Sequence, residues 1–183
     1  MIIGITGRSG VGKSSLSKLL QKFGNNFMYV NFDELGHQIL DDYEVQEQIK
    51  RSLGVEVTSS TNRKALAEKI FCDRSKMKVL SDIMYDRMKV EVNAILKTYE
   101  NVILDWILLP HTSYFRLCDI KILVKPKTDN IRKEKVMKRD GLTEIELAMR
   151  DSASIKYNEN DFDFVIKNNY SLDNTNKNLY NLI

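Results

Sequence analysis

The sequence predicts an α/β fold: a parallel sheet of about five strands covered by helices on both faces, in a single domain spanning residues 1–183. Three observations carry this. A β-prone apolar run, Ile2, Ile3 and Ile5, leads into a glycine-rich turn and then into a helix marked by Leu16, Leu19, Leu20 and Phe23 at helical spacing. Two later segments, Asn101 to Leu109 and Asp119 to Lys125, have the near-continuous hydrophobicity of strands buried on both faces. Helical tracts separate the strands, an alternation that builds parallel sheets with ligands at the carboxyl ends of the strands.

The remaining elements follow in order. Phe27 to Phe32 has the aromatic and β-branched content of a strand and stops at Asp33. A helix from Glu34 to Leu40 comes next, then one over 44–53 with Val45, Ile49 and Leu53 on one face, closed by Gly54. A polar loop, Thr58 to Asn62, leads into a long helical tract from Lys64 to Tyr99 with a break near Asp73. Its apolar face is Leu80, Ile83, Met84, Met88, Val92 and Ile95, the methionines serving as core filler. Residues 34–100 thus form a helical insertion between two strands. Beyond the strand segments, 127–156 reads as two polar helices hinged at Asp140-Gly141, the second opening with a capping box from Thr143 to Glu146. Phe162 to Ile166 makes a last strand, and an Asn-rich tail ends in a weak helix.

The turn after the first strand is the chemical centre. Gly7, Gly12, Lys13 and Ser14 fit the phosphate-loop pattern G-x-x-x-x-G-K-[ST], in which backbone N–H groups along Ser9, Gly10, Val11, Gly12 and on to Ser15 surround a polyphosphate. Glycine is required because a Cβ would block that approach. Lys13 sets a point charge on the β and γ phosphates, Ser14 offers a hydroxyl to Mg²⁺, and the helix opening near Lys13 turns free N–H groups toward the anion. A chance turn with three glycines would match the pattern in a chain of this length with a probability on the order of one percent, and the flanking strand and helix lower it further.

Other residues join this centre. Asp33, ending the second strand, could take or orient the proton of an attacking hydroxyl, or could serve only as a helix cap. Asp105, after Val102, Ile103 and Leu104, has the placement of an acid on the Mg²⁺ side. Between Lys121 and Arg139 lie eight basic residues against two acidic ones. On a hinged helical pair with no evident apolar face, 127–156 reads as a lid whose arginine neutralises the transferring phosphoryl group, with Arg132, Arg139 and Arg150 as candidates.

Composition narrows the classes. The chain is 43% hydrophobic and 29% charged, and its net charge of +3 is accounted for by anionic substrates without invoking nucleic acid. Gly4 and Gly7 interrupt the N-terminal apolar run and Asp105 splits the most hydrophobic segment, so neither a signal peptide nor a membrane span is expected, and a cytoplasmic location is. Cys72 and Cys118 read as buried free thiols.

In sequence, the chain resembles the dephospho-coenzyme A kinase family over nearly its whole length. The matching pieces are Gly4-Ile-Thr-Gly-Arg-Ser-Gly-Val-Gly-Lys-Ser-Ser15, Phe23-Gly24, Asn31-Phe-Asp33 with His37, and Asn62-Arg63-Lys-Ala-Leu66 running into Ile70-Phe71-Cys-Asp73. They continue with Val102-Ile-Leu-Asp105, Leu108-Leu109, Met137-Lys-Arg-Asp-Gly-Leu-Thr143 with Ala148 and Arg150, and Asp163-Phe-Val-Ile166 before Asn168-Asn169. The resemblance implies a phosphate-loop kinase fold that uses ATP and Mg²⁺ to phosphorylate a small-molecule acceptor, the ribose 3′-hydroxyl of dephospho-CoA. It implies Asp33 as the base near that hydroxyl, Arg63 and His37 at the acceptor, and Arg139 in the lid with Arg150 on the nucleotide. Three elements depart from the family pattern. Asn31-Phe-Asp33 replaces Asp-x-Asp, Ile83-Met84-Tyr85-Asp86 lacks a histidine, and Asp105-Trp-Ile-Leu-Leu-Pro-His111 changes residues around the acceptor. A nucleoside or nucleotide acceptor, and a nucleotide-binding protein without transfer activity, are the alternatives. A GTPase switch is disfavoured because Asp33-Glu-Leu-Gly36 lies too soon after the loop and no N-K-x-D follows.

Overall fold

The computed structural model describes residues 1–23, 26–57, 70, 73–152 and 154–169. Five strands, β1 Ile2–Thr6, β2 Met28–Asn31, β3 Val102–Asp105, β4 Ile120–Pro126 and β5 Phe164–Asn168, form one sheet in the order β2-β3-β1-β4-β5 with every pair parallel. Seven α-helices accompany them among the described residues: α1 Lys13–Phe23, α2 Phe32–Leu40, α3 Tyr43–Leu53, α4 Arg74–Thr98, α5 Tyr114–Leu117, α6 Asp129–Asp140 and α7 Glu144–Ser152. None is long and apolar enough to cross a membrane.

The chain divides into two compact units, Met1–Asn31 with Tyr99–Ile183, and Phe32–Thr98. In the first, alternation along β1 sends Ile3 and Ile5 into a cluster with Leu16 and Leu20 of α1 and with Ile103, Ile122 and Ile166 of the neighbouring strands. Gly4 faces the opposite way, where a Cβ would lie 2.6 Å from Cys118 Sγ and 3.0 Å from Leu109. The sheet is therefore covered on both faces, as the unbroken apolar runs require. In the second unit, α2 and α3 pack against α4. Asp42 caps α3 through the Glu44 N–H, Gly54 closes it in the left-handed conformation with φ 65°, and Asp73 Oδ1 accepts from the Ser75 and Lys76 N–H groups at the start of α4.

Some expected boundaries move. The strand expected to reach Leu109 ends at Asp105, where its pairing with both β1 and β2 stops: Ile5 and Asn31 both pair with Asp105, while β1 runs on through Thr6 beside β4. Past that point no ladder remains, and Leu109–His111 forms a 3₁₀ turn around Pro110. For the same reason β2 stops at Asn31, and Asp33 lies in the first turn of α2 instead of ending the strand or capping the helix. The two basic helices do have an apolar anchor: Val136 and Leu147 are 1% and 2% exposed. Cys118 is a buried free thiol. The loop at Thr58 to Asn62, Arg63, Cys72 and the tail beyond Asn169 lie outside the described residues.

Ile103, wholly buried on β3 within the apolar cluster, tests the core. Ile103→Ala should cost about 2–5 kcal/mol of stability by removing buried methyl groups and leaving a cavity. Urea unfolding would measure it, and a loss below about 1 kcal/mol would contradict close packing at that position.

Candidate active site

The phosphate loop owes its curvature to backbone that side chains cannot follow. Gly10 and Gly12 have φ of 80° and 92°, the left-handed region, and each is hemmed in by a neighbour. A Cβ on Gly10 would come within 2.1 Å of Val136 Cγ2 on α6, and one on Gly12 within 2.2 Å of Asn168 Nδ2 at the end of β5. Asn168 Nδ2 also donates to the Val11 carbonyl at 2.9 Å, tying the loop to that strand. Lys13 starts α1, and its Nζ donates to the carbonyls of Gly7 at 3.0 Å and Arg8 at 3.4 Å, so the ammonium lies within the curve of the loop. Ser14 and Ser15 follow in the first turn of α1, where helix N–H groups have no intrahelical partner and favour an anion.

Asp105, at the tip of β3 and 3% exposed, meets Ser14. Ser14 Oγ donates to Asp105 Oδ2 at 3.3 Å, and Tyr29 Oη donates to the same oxygen at 2.8 Å. Burial, together with the neighbouring carboxylate, pushes the Tyr29 phenol up to about 12. A hydroxyl and a carboxylate are hard oxygen donors of the kind Mg²⁺ prefers. Among the described residues no group of three or more His, Cys, Asp or Glu could hold a metal ion.

The three candidate arginines separate. Arg132 is wholly buried and acts as a structural clamp: Nε donates to Asp129 Oδ1 at 2.7 Å, its terminal nitrogens bind the Asp151 carboxylate, and Nη1 reaches the Ser9 carbonyl at 3.4 Å. Arg8 joins the same two acids, 3.5 Å from Asp129 and 2.9 Å from Asp151. Hydrogen bonds and charge from Arg132 hold the Asp129 carboxyl below the usual range; Asp151, whose burial opposes the shift, is held down by Arg132 and Arg8 together. Arg139 and Arg150 instead converge on the loop. Their Nη2 atoms donate to Ser9 Oγ at 3.1 and 2.9 Å, and both grip Asp140, Arg139 through Nε at 2.6 Å and Arg150 through Nη1 at 2.6 Å. The Arg139 hydrogen bond is the first cause, and Arg150 a further one, of an Asp140 carboxyl lowered to about 2.

Asp33 and His37 stand four residues apart on α2, hence on one face, and both are exposed. They belong to the helical unit; Gly7, Ser9, Gly10, Val11, Gly12, Lys13, Ser14, Ser15, Asp105, Arg139 and Arg150 belong to the unit built on the sheet. Sequence reasoning missed Tyr29, Asn168, Asp140 and the Arg8–Arg132 acid pair. Tyr29 had a signal: two residues before Asn31 on a strand, it shares that residue's face. It also missed a cavity of about 750 Å³ beside the loop, lined by Arg8, Val11, Leu123, Pro126 and Tyr157 among others.

Comparison with known proteins agrees with this geometry. The family described as CoaE, dephospho-CoA kinase, matches residues 1–174. Dephospho-CoA kinases of Fusobacterium nucleatum and Listeria monocytogenes are each 30% identical, over 94% and 99% of this chain and 92% and 94% of their own length. That of Borreliella burgdorferi is 30% identical over 72% of this chain, a match that spans 65% of the relative. A Thermus thermophilus crystal structure superposes with a TM-score of 0.83 at 27% identity, covering 100% of this chain and 95% of that one. The dephospho-CoA kinase of Campylobacter jejuni, at 17% identity and a TM-score of 0.59 over 99% and 94% of the two chains, shares the fold. With a match from the first residue to the end of the described sheet, the chain belongs to the dephospho-CoA kinase family.

Proposed function

We propose that this chain transfers the γ-phosphoryl group of ATP to the ribose 3′-hydroxyl of dephospho-CoA, aided by Mg²⁺. The observation that carries the reading is the meeting of Lys13, Arg139 and Arg150 at one loop whose Ser14 touches Asp105. Loop N–H groups, Lys13 and the two arginines bind and orient the polyphosphate, and the cations offset charge as it shifts between oxygens in the transition state. Ser14 and Asp105 are the residues that would hold Mg²⁺, which neutralises phosphate charge when bound. Asp33 accepts or orients the acceptor hydroxyl proton, with His37 and Arg63 holding the acceptor on a helical region of about 34–100. Residues 127–156 act as a lid over ATP, with Arg139 as the arginine that reaches the transferring group. This chemistry needs neither nucleic acid nor membrane, and a soluble acceptor suits the cytoplasm.

A second reading keeps the chemistry and changes the acceptor to another nucleoside or nucleotide, or loses transfer altogether. It is favoured by Asn31, Ile83-Met84-Tyr85-Asp86 and Trp106 to His111, all in acceptor-side elements that depart from the family pattern. ADP release measured against a panel of acceptors separates the two: dephospho-CoA should give the highest kcat/KM, and stimulation by another nucleoside alone would reassign the acceptor. In the same assay Lys13→Ala should fold normally by circular dichroism yet lose ATP affinity and turnover, since no backbone N–H replaces its charge. Wild-type affinity in that variant would remove the phosphate loop from the mechanism.

Asp33→Asn preserves shape and removes charge. ATP binding should persist while transfer falls by roughly 10²-fold or more, the usual range for a positioned general base. Turnover within about twofold of wild type would leave Asp33 a structural residue of the first turn.

The Asp140 pair sets a pH dependence. Because its folded pKa, about 2, lies below the unfolded value of 3.8, its stabilisation is fully present above the unfolded value and is lost as pH falls through the folded one. The stability difference between wild type and Asp140→Asn should therefore be flat near neutrality and shrink below about pH 4. A difference that stays constant under acid would show that the carboxylate's charge is not what binds the two arginines.

A further inference from the structure

Tyr29 belongs to no motif in the sequence, yet its hydroxyl touches the acid on which the metal side of the site rests. It donates to Asp105 Oδ2 at 2.8 Å, the oxygen that also accepts from Ser14 Oγ at 3.3 Å. In turn it accepts from Asn31 Nδ2 at 3.4 Å. Valence fixes the direction of this chain. An ionised carboxylate only accepts, so the single phenolic proton goes to Asp105, and the phenolic oxygen is left to receive a proton from the Asn31 amide. The strand supplies the placement: Tyr29 and Asn31 share a face of β2, and Asn31 stands level with Asp105 across the β2–β3 pair.

We infer that Tyr29, oriented by Asn31, is a positioning residue that sets the rotamer of the Asp105 carboxylate for the divalent cation of the bound nucleotide. The inference rests on the reading of Asp105 as the metal-side acid. A carboxylate at a strand tip can turn about two side-chain bonds, and a donor fixed to the sheet removes that freedom before the nucleotide arrives. Residues that hold a metal ligand in this way matter nearly as much as the ligand, and losing one costs about 10–100-fold in metal affinity. The Tyr29 ring also packs against the apolar cluster under α1. Tyr29→Phe keeps that packing and removes only the hydroxyl, and with it both the bond to Asp105 and the one from Asn31.

The test uses the full chain and a non-hydrolysable ATP analogue, with affinity measured by calorimetry in the presence and absence of saturating Mg²⁺. For Tyr29→Phe the metal-free affinity should stay within about twofold of wild type, while the gain on adding Mg²⁺ falls about tenfold. Asn31→Ala should reduce the gain in the same direction but by less, because the hydroxyl is retained and only its orientation is loosened. Asp105→Asn is measured alongside. If Asp105→Asn abolishes the gain and Tyr29→Phe leaves it within twofold of wild type, Tyr29 is a packing residue and the inference is overturned while the role of Asp105 stands. If Asp105→Asn leaves the gain intact, the metal-side reading and the inference fall together. A fall in metal-free affinity equal to the fall with Mg²⁺ would mark a general distortion of the loop, and would also overturn it.

Discussion

The close contact between the phosphate loop and the side chains around it is the constraint on which the rest of the nucleotide-side unit depends. Val136 of α6 fills the space where Gly10 would carry a Cβ, and Asn168 of β5 does the same at Gly12. The loop is therefore shaped from outside as well as by its own glycines. Any change in how α6 or the end of β5 packs is felt directly in the curvature that presents N–H groups to a polyphosphate. This couples an edge strand and a basic helix, both distant in sequence, to residues 7–14.

The same contact explains why the arginines of α6 and α7 have different fates. Arg132 lies one turn before Val136, at the root of α6, where the helix is pressed to the loop. There it is stripped of water, and Asp129 and Asp151, both facing it, offset the cost of burying a guanidinium at zero exposure. Arg139 lies one turn beyond Val136 and is more than half exposed, and Arg150 on α7 is nearly half exposed. Exposed guanidiniums paired to one carboxylate can exchange partners at small cost, since surface ion pairs contribute little. One helix thus carries a fixed root and an exposed tip.

Much of this architecture is legible in the amino-acid sequence. The loop, the parallel sheet implied by alternation, the turn at Gly141 and the capping box at Thr143 each have local causes, and local causes are written in consecutive residues. The box is present as two reciprocal bonds between Thr143 and Glu146. What consecutive residues do not carry are facts set by distant neighbours. The apolar run through Leu109 looks like strand to its end, but a strand needs partners, and pairing with β1 and β2 stops at Asp105. A guanidinium looks alike at positions 132, 139 and 150 until burial tells them apart. Asp33 looks like the end of a strand because its helix begins two residues before the expected Glu34, at Phe32, whose side chain is buried.

Charge around the loop selects the kind of ligand it can hold. Arg139 and Arg150 meet at a single hydroxyl, Ser9 Oγ, a place where two cations repel and which a hydroxyl cannot neutralise. Asp140 compensates one charge of the two, and Lys13 adds another cation nearby in the same loop. The cluster thus keeps an excess of positive charge around donors that meet at one point, on helices held by the buried Val136 and Leu147. Converging positive charge of this kind favours a ligand that brings several negative oxygens at once, and it favours most the state in which those oxygens carry the most charge. A triphosphate passing its terminal group to an acceptor is such a ligand. That is why the part of the chain that handles phosphate can be read with few assumptions, whereas the acceptor side depends on residues whose chemistry is not fixed by so strong a field.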